Sequence, residues 1–361
     1  MSEGAPHGRL FAFPRRGIAY VDCLYQAMDK QGVTAQEGDR SAIWLLRNVR
    51  RGDTLHLHWP SFFYYDAGSR LHTLLRLLRF MTVMSLAKLR GAQILWTAHN
   101  LYPHSGGREL WVHRVARKLV VRIASHIFSH GPRAAELLQA EFNPAPEKTV
   151  LVPHGHWIDY YPATSNREEM RRQLGIPSAS FVYGFIGGCR PYKGLEHLIE
   201  AFRDLPGEGV LLIAGEFKSA AYLQHIRSRL ASQFADRVLL LPRFLPDDEI
   251  RSYIYAIDAL VLPYKQILTS GSIMLGLSFG RPVVVPDIGG MSDVIGEQHG
   301  LLYDPSSPTG LADALQEIRS RPYDAERIIL HARSFEWSKS AHAVVTAVKA
   351  HAMRTKGRGL W

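Results

Sequence analysis

Apolar and polar positions along this chain fall in alternating short blocks. "RLFAFP" is a compact apolar run that stops at a turn carrying Gly17, and from about Ala19 to Lys30 apolar residues return at helical spacing. "DTLHLHWP" and "AQILWTAHN" are short strands that each end in polar or aromatic residues. "HIFSHG" and "KTVLVPHGH" follow, with intervening helices, notably one from Arg108 to Ser125. Strands alternating with helices predict a parallel, doubly wound sheet.

The pattern then restarts. After the polar stretch Pro162–Ser180, read as a linker, come the strand "FVYGFIGG", the helix "GLEHLIEAFRDL", the strand "GVLLIAGE" and a helix from Ala220 to Phe234. "RVLLLPRF", the short helix "DDEIRSYIYAI", "ALVLPY", a further apolar helix and "PVVVPD" complete a second α/β sheet. The tail "EWSKSAHAVVTAVKAHAM" is a helix beyond it. The chain therefore divides at 1–161 and 162–334, with the terminal helix 335–361 packing back on the first domain. Ligands of such sheets sit beyond the carboxyl ends of the strands, so two Rossmann-like domains are expected to face a central cleft.

Composition fits two ordinary cores: 361 residues, 46% hydrophobic. Cys23 and Cys189 match neither a disulfide nor a metal framework, which points to a reducing cytoplasm. Neither a signal sequence nor a membrane-spanning run is read. The net charge of +10 is uneven: residues 1–165 hold 20 Lys and Arg against 12 Asp and Glu, and residues 166–361 hold 23 against 21. Basicity of the first half predicts an anionic partner there. Zinc-finger and RNA-binding signatures are missing, so nucleic acid is not expected. The helical pattern Ser69–Gly91 mixes Leu and Met with Arg70, Arg76, Arg79, Lys88 and Arg90, a composition that suits either an anionic membrane surface or a core helix with a solvated face.

Candidate chemistry lies at the strand ends. Ser270-Gly271-Ser272 stands where an apolar helix should begin, and small residues there leave backbone N–H groups for an anion. "GGCRPYKG" brings Arg190 and Lys193 to the end of the first strand of the second half, so the two motifs together suit a diphosphate. His56 and His58 end one strand, His99 and His104 flank the end of the next, and His154 and His156 follow later. Hydrogen bonding or proton transfer suits these better than zinc, since a third ligand with carboxylate support does not stand out. The chain has neither Asp-x-Asp nor a P-loop motif. "GLSFG" matches the hydrolase pattern Gly-x-Ser-x-Gly, but Ser278 falls late in a helix with the strand after it, the reverse of what that motif requires.

"GFIGGCRPYKGLEHLIEAF", "GRPVVVPDIGGMSDVI" and "TAHN" resemble a GT-B glycosyltransferase of the family-4 type. "HLHWP", "HNLYPH", "HGHWIDY", "RPYKG" and "LPYKQILTSGS", in that order, resemble the β-mannosyltransferases that extend polyprenyl-diphosphate-linked oligosaccharides in xanthan-type exopolysaccharide assembly. The resemblance implies a GT-B fold and transfer of mannose from GDP-mannose to a lipid-linked or saccharide acceptor. It also implies work at the cytoplasmic face of the plasma membrane as a peripheral protein. No cofactor or metal is expected, because Arg190, Lys193 and the Ser270, Gly271 and Ser272 amides would stabilise the departing diphosphate. Arg243 and Phe244 would border the base, and His99 would face the donor sugar. For an inverting reaction the base candidates are His99, His104 and Glu109. One departure stands out. Where the family carries paired glutamates, alignment on "GRPVVV" puts Ile267 and Leu275. That change also fits a non-catalytic binding subunit, and the architecture alone does not separate either from an epimerase.

Overall fold

The computed structural model describes residues 8–66, 68–103, 110–207, 209–230 and 235–357. The chain forms two compact units, residues 1–155 with 336–361, and residues 156–335.

In the first unit six parallel strands form one sheet: β1 (Leu10–Phe13), β2 (Ala35–Glu37), β3 (Thr54–Leu57), β4 (Gln93–Thr97), β5 (His126–Ser129) and β6 (Thr149–Leu151). Their spatial order is β2-β1-β3-β4-β5-β6. Strands β1, β3 and β4 are buried along their whole length, as expected where helices cover both faces of a parallel sheet. A core of Leu55, Leu57, Ile94, Trp96, Phe80 and Tyr64 packs against them. β2 was not expected from the sequence, nor was the helix Ala42–Asn48 that follows it. Only Ala35 of β2 is buried, so this three-residue edge strand carries no periodic signal. The helix Trp337–Gly357 belongs to the first unit and packs on the helix Ala19–Asp29.

The helix expected over Ser69–Gly91 spans Arg70–Leu89, capped by Ser69, whose Oγ accepts from the His72 amide at 3.2 Å. Thr73, Leu77, Phe80, Met84 and Ala87 are buried at i, i+4, i+7 spacing and form its core stripe. Its other side is also apolar: Leu71, Leu74, Leu75 and Leu78 are 40–65% exposed. Basic residues here are partly engaged. Arg76 pairs with Asp66 at 3.1 Å and Lys88 donates to Ser125 at 2.8 Å.

The second unit repeats the plan with β7 (Val182–Ile186), β8 (Val210–Ala214), β9 (Val238–Leu241), β10 (Ala259–Val261), β11 (Val283–Pro286) and β12 (Gly300–Tyr303). The order is β12-β11-β10-β7-β8-β9, all parallel. The chain reverses direction of travel between β7 and β10, and that switch point opens a crevice at the carboxyl edge. β12 was not expected, because "GLLY" is too short to show a period. The stretch Pro162–Ser180 is not a linker. It holds the helix Arg167–Gln173, and buried Arg171 joins Asp258 at 2.7 Å, which ties the stretch to the start of β10.

Candidate functional site

Several features meet at the switch point of the second unit. The loop after β7 ends at Gly194, with φ of +72°, where a Cβ would lie 2.1 Å from the Pro263 carbonyl oxygen. Glycine therefore lets this loop close on the loop after β10. The Lys265 amide completes the contact by donating to the Tyr192 carbonyl at 2.8 Å. From there Tyr264 reaches the hydroxyl of Ser270 at 2.7 Å, at the cap of the helix Gly271–Ser278. Ser270 spends its hydroxyl on Tyr264 and does not cap the helix, so its side chain leaves the first amides of that helix to another acceptor. The loop bearing Arg190 and Lys193 is thus joined through Tyr192, Lys265 and Tyr264 to the Ser270–Ser272 helix start.

Lys193 is the unusual member. It is 9% exposed, lies over the Phe185 ring at 5.6 Å, and meets no carboxylate among the described residues. Burial pushes its ammonium down to about 8, with Arg190 adding to the shift against an opposing effect of Cys189. Arg190 is more constrained. Its guanidinium donates to the carbonyls of Cys189 and Glu216, each at 2.9 Å, and pairs with the Glu216 carboxylate at 3.5 Å. A buried cation that meets no carboxylate among the described residues, on a loop tied to a helix start, is an arrangement that favours an arriving anion.

Arg243 and Phe244 follow β9 at the same edge of the sheet. Arg243 is held by Glu249 and by the Tyr253 hydroxyl (the latter at 2.8 Å), and Phe244 is 66% exposed. The structure shows no contact joining this pair to Arg190 or Lys193 among the described residues. A groove of about 640 Å³ opens beside the cradle, where Tyr264 and Lys265 meet His197, Glu200, Tyr303 and Thr309; neither Lys193 nor Ser270 lines it. Ile267 is half-buried and Leu275 is buried in the helix, so neither position offers a carboxylate. Ser278 is buried, and its Oγ accepts from the Trp157 amide at 2.8 Å, a packing role.

Chemistry of another kind occupies the carboxyl edge of the first unit. β3, β4, β5 and β6 are each followed within three residues by a histidine: His58, His99, His130 and His154. His58 Nδ1 and His99 Nε2 are 3.2 Å apart, and the Tyr25 hydroxyl bridges His56 at 2.9 Å and His58 at 2.8 Å. His56 also meets Thr97 Oγ1 at 2.9 Å. The His99 ring stacks on Trp59 at 4.5 Å and takes the edge of Tyr20 at 4.5 Å. Burial pushes His56 and His130 down to about 3 and His154 to about 4. Burial, reinforced by neighbouring imidazoles, also holds His58 and His99 well below the usual imidazole value. At neutral pH these rings are uncharged, so His99 is fitted to hydrogen bonding more than to carrying a proton. His156 lies in the second unit, where its Nδ1 accepts from the Ile158 amide at 3.4 Å. His104 and Glu109 lie outside the described residues.

Tyr20, Tyr25, Trp59 and His130 went unnoticed in the sequence. A histidine recurring after successive strand ends was the available signal for His130; the tyrosines, on the helix Ala19–Asp29, gave none. Tyr264 and Glu216 were likewise missed, because their part is to hold Ser270 and Arg190.

Comparison with known proteins bears on both units. Residues 180–321 match the family described as glycosyl transferases group 1. The chain is 26% identical over 284 residues to a GDP-mannose:glycolipid 4-beta-D-mannosyltransferase of Xanthomonas campestris pv. campestris, covering 76% of this chain and 74% of that protein. It is 29% identical over 353 residues to a D-inositol 3-phosphate glycosyltransferase of Corynebacterium urealyticum, covering 91% and 80%. Among solved structures, Anabaena Alr3699/HepE in complex with UDP superposes with a TM-score of 0.72 at 16% identity, covering 95% of this chain and 100% of that one. Two six-stranded parallel sheets, a group 1 glycosyltransferase match within the second unit and glycosyltransferase relatives spanning both lead to one conclusion: the chain is a nucleotide-sugar-dependent glycosyltransferase of the GT-B type.

Proposed function

We propose that the protein transfers mannose from GDP-mannose to a polyprenyl-diphosphate-linked or oligosaccharide acceptor in exopolysaccharide or cell-surface glycan synthesis. The observation that carries the catalytic part is Lys193, a buried ammonium that meets no carboxylate among the described residues, on the loop tied through Tyr192, Lys265 and Tyr264 to the start of the helix Gly271–Ser278. As the bond from the sugar to the diphosphate breaks, negative charge grows on the phosphate oxygens. Lys193 and the Gly271 and Ser272 amides meet that charge, with Arg190 at the rim. Fixed donors of this kind stabilise a developing anion without reorganising, which makes a divalent ion unnecessary for departure. Arg243 and Phe244 border the base, and neutral His99 hydrogen-bonds a hydroxyl of the donor sugar.

The choice of mannose and GDP is supported by the name of the Xanthomonas relative. A peripheral position on the cytoplasmic face of the membrane is supported by the exposed leucines of the helix Arg70–Leu89 and by the basic first half. Ile267 and Leu275 favour a second reading, a subunit that binds nucleotide sugar without turning it over.

Incubation with GDP-mannose, UDP-glucose or ADP-glucose, with a polyprenyl-diphosphate-linked oligosaccharide and excess EDTA, tests these statements together. Mannose should appear on the lipid-linked product from GDP-mannose alone, with EDTA costing less than about twofold. Binding without product supports the second reading. Strict dependence on Mg²⁺ or Mn²⁺ contradicts a diphosphate held by Lys193 and amides alone.

A further inference from the structure

A cavity of about 360 Å³ lies at the carboxyl edge of the first sheet, among the turns after β1 and β2 and the helix Ser61–Tyr64 that follows β3. Its volume is that of a small-molecule pocket, about 300–1,000 Å³. Phe13, Pro14, Ile18 and Phe62 form apolar walls, and Arg16 and Arg40 bring two guanidinium groups to them. Gly38 permits the close wall, since a Cβ there would meet the Phe13 ring at 2.2 Å.

The two arginines are available. Arg16 is exposed, and neither it nor Arg40 pairs with a carboxylate among the described residues. Arg40 is aimed by its own packing: it donates to the Phe62 carbonyl at 3.0 Å and lies 5.8 Å from the centre of that ring. The carboxylate in the cavity, Glu37, already accepts from the Arg15 amide at 3.0 Å, and Arg15 pairs with Asp29 at 3.3 Å. Phe62 is 50% exposed and Ile18 36% exposed, so apolar surface stands open beside the cations. Arg40 also borders a dimple shared with Arg79 and Phe80, one residue on from exposed Leu78 in the leucine-bearing helix.

Two guanidinium groups that pair with no carboxylate among the described residues, against an open apolar wall, select a ligand that is anionic at one end and hydrocarbon at the other. We infer that this cavity binds the diphosphate and first isoprene units of a prenyl diphosphate, the lipid end of the acceptor. The inference rests on the reading that the acceptor is lipid-linked, and it assigns Arg16 and Arg40 as the residues that distinguish such an acceptor from a free saccharide.

The test is calorimetric binding of geranyl diphosphate, inorganic pyrophosphate and geraniol to the full chain, with excess GDP present to occupy the second unit. Wild type should bind geranyl diphosphate at least tenfold more tightly than either other probe, with affinity falling as salt rises. Arg16 is exposed, and Arg16→Ala should weaken geranyl diphosphate about tenfold, and Arg16→Ala with Arg40→Gln about 100-fold, each leaving GDP affinity within twofold. Equal binding by wild type and the double variant overturns the assignment, as does the absence of any binding by wild type. Pyrophosphate binding as tightly as geranyl diphosphate rejects the lipid source and leaves a free-phosphate site. Failure of the lipid-acceptor reading has a different signature: geranyl diphosphate binds through the arginines, yet mannose is never transferred to a lipid-linked acceptor. Transfer to that acceptor with an unchanged KM in the double variant sinks the cavity alone.

Discussion

Both sheets have six parallel strands, and both place their polar residues at the carboxyl edge, yet the two edges differ in charge. In the first unit the edge is filled by imidazoles, tyrosines and tryptophan that bond to one another, and burial keeps the imidazoles neutral. In the second unit the edge holds a buried ammonium that meets no carboxylate among the described residues and a helix start that its Ser270 side chain does not cap. A neutral hydrogen-bonding lattice suits hydroxyl groups, which sugars supply. An unpaired cation suits the phosphate that must leave. One architecture thus offers two kinds of recognition, decided by a few residues beyond each strand end.

The most direct way to break this contrast is to remove the cation. Lys193→Ala should lower kcat/KM by about 10²–10³, the usual loss for a fixed donor at developing charge, with the loss visible in nucleotide binding as well. His99→Ala should cut turnover about 100-fold while leaving GDP affinity unchanged, because that ring belongs to the other unit. Parallel loss of rate and GDP affinity in His99→Ala would erase the division of labour. Calorimetry beside initial rates reads both quantities.

Acid should separate the units. The native imidazoles of His56, His130 and His154 titrate at about 3 to 4, below an unfolded value near 6.5. Such groups oppose protonation in the fold, so stability is full above pH 6.5 and is lost as pH falls toward the native values. Each costs about 1.4 kcal/mol per pH unit across that window. Hydrogen exchange at pH 5.5 against pH 7.5 should show β3 to β6 opening before β7 to β12. Equal protection, or earlier opening of the second unit, would mean the buried imidazoles are not its weak point.

Arg190→Ala should have the smallest effect, about tenfold in kcat/KM, since Glu216 and two carbonyls already hold that guanidinium. A loss as large as that of Lys193→Ala would make Arg190 an equal partner in the cradle.

Much of the architecture could be read from the sequence because ten of the twelve strands are apolar blocks between helical stretches. β2 and β12 could not, being three and four residues long with little to distinguish them from a turn. The polar composition of Pro162–Ser180 concealed a helix held by the ion pair of Arg171 with Asp258, a contact between residues 87 positions apart. The same division runs through the candidate site. Arg190, Lys193 and Ser270–Ser272 stood out as charged or small residues after strands. Their supports, Tyr264 and Glu216, act through tertiary contacts that no local spacing encodes. The two basic residues differ similarly: both are expected from the sequence to meet phosphate, and burial of Lys193 with pairing of Arg190 to Glu216 distinguishes them.

The central claim is that buried Lys193, which meets no carboxylate among the described residues, is the diphosphate's counter-charge, and its pH dependence tests it most directly. Because burial lowers its ammonium to about 8, the cation is present below that pH and is lost as pH rises through it. GDP affinity of the wild type, measured calorimetrically from pH 6.5 to 9.5, should hold steady to about pH 8 and then fall, by up to tenfold per unit. Lys193→Ala should bind at least 100-fold more weakly at pH 7 and show no such fall. An affinity for GDP that is equal in the two proteins, or a wild-type profile that stays flat to pH 9.5, would contradict the account.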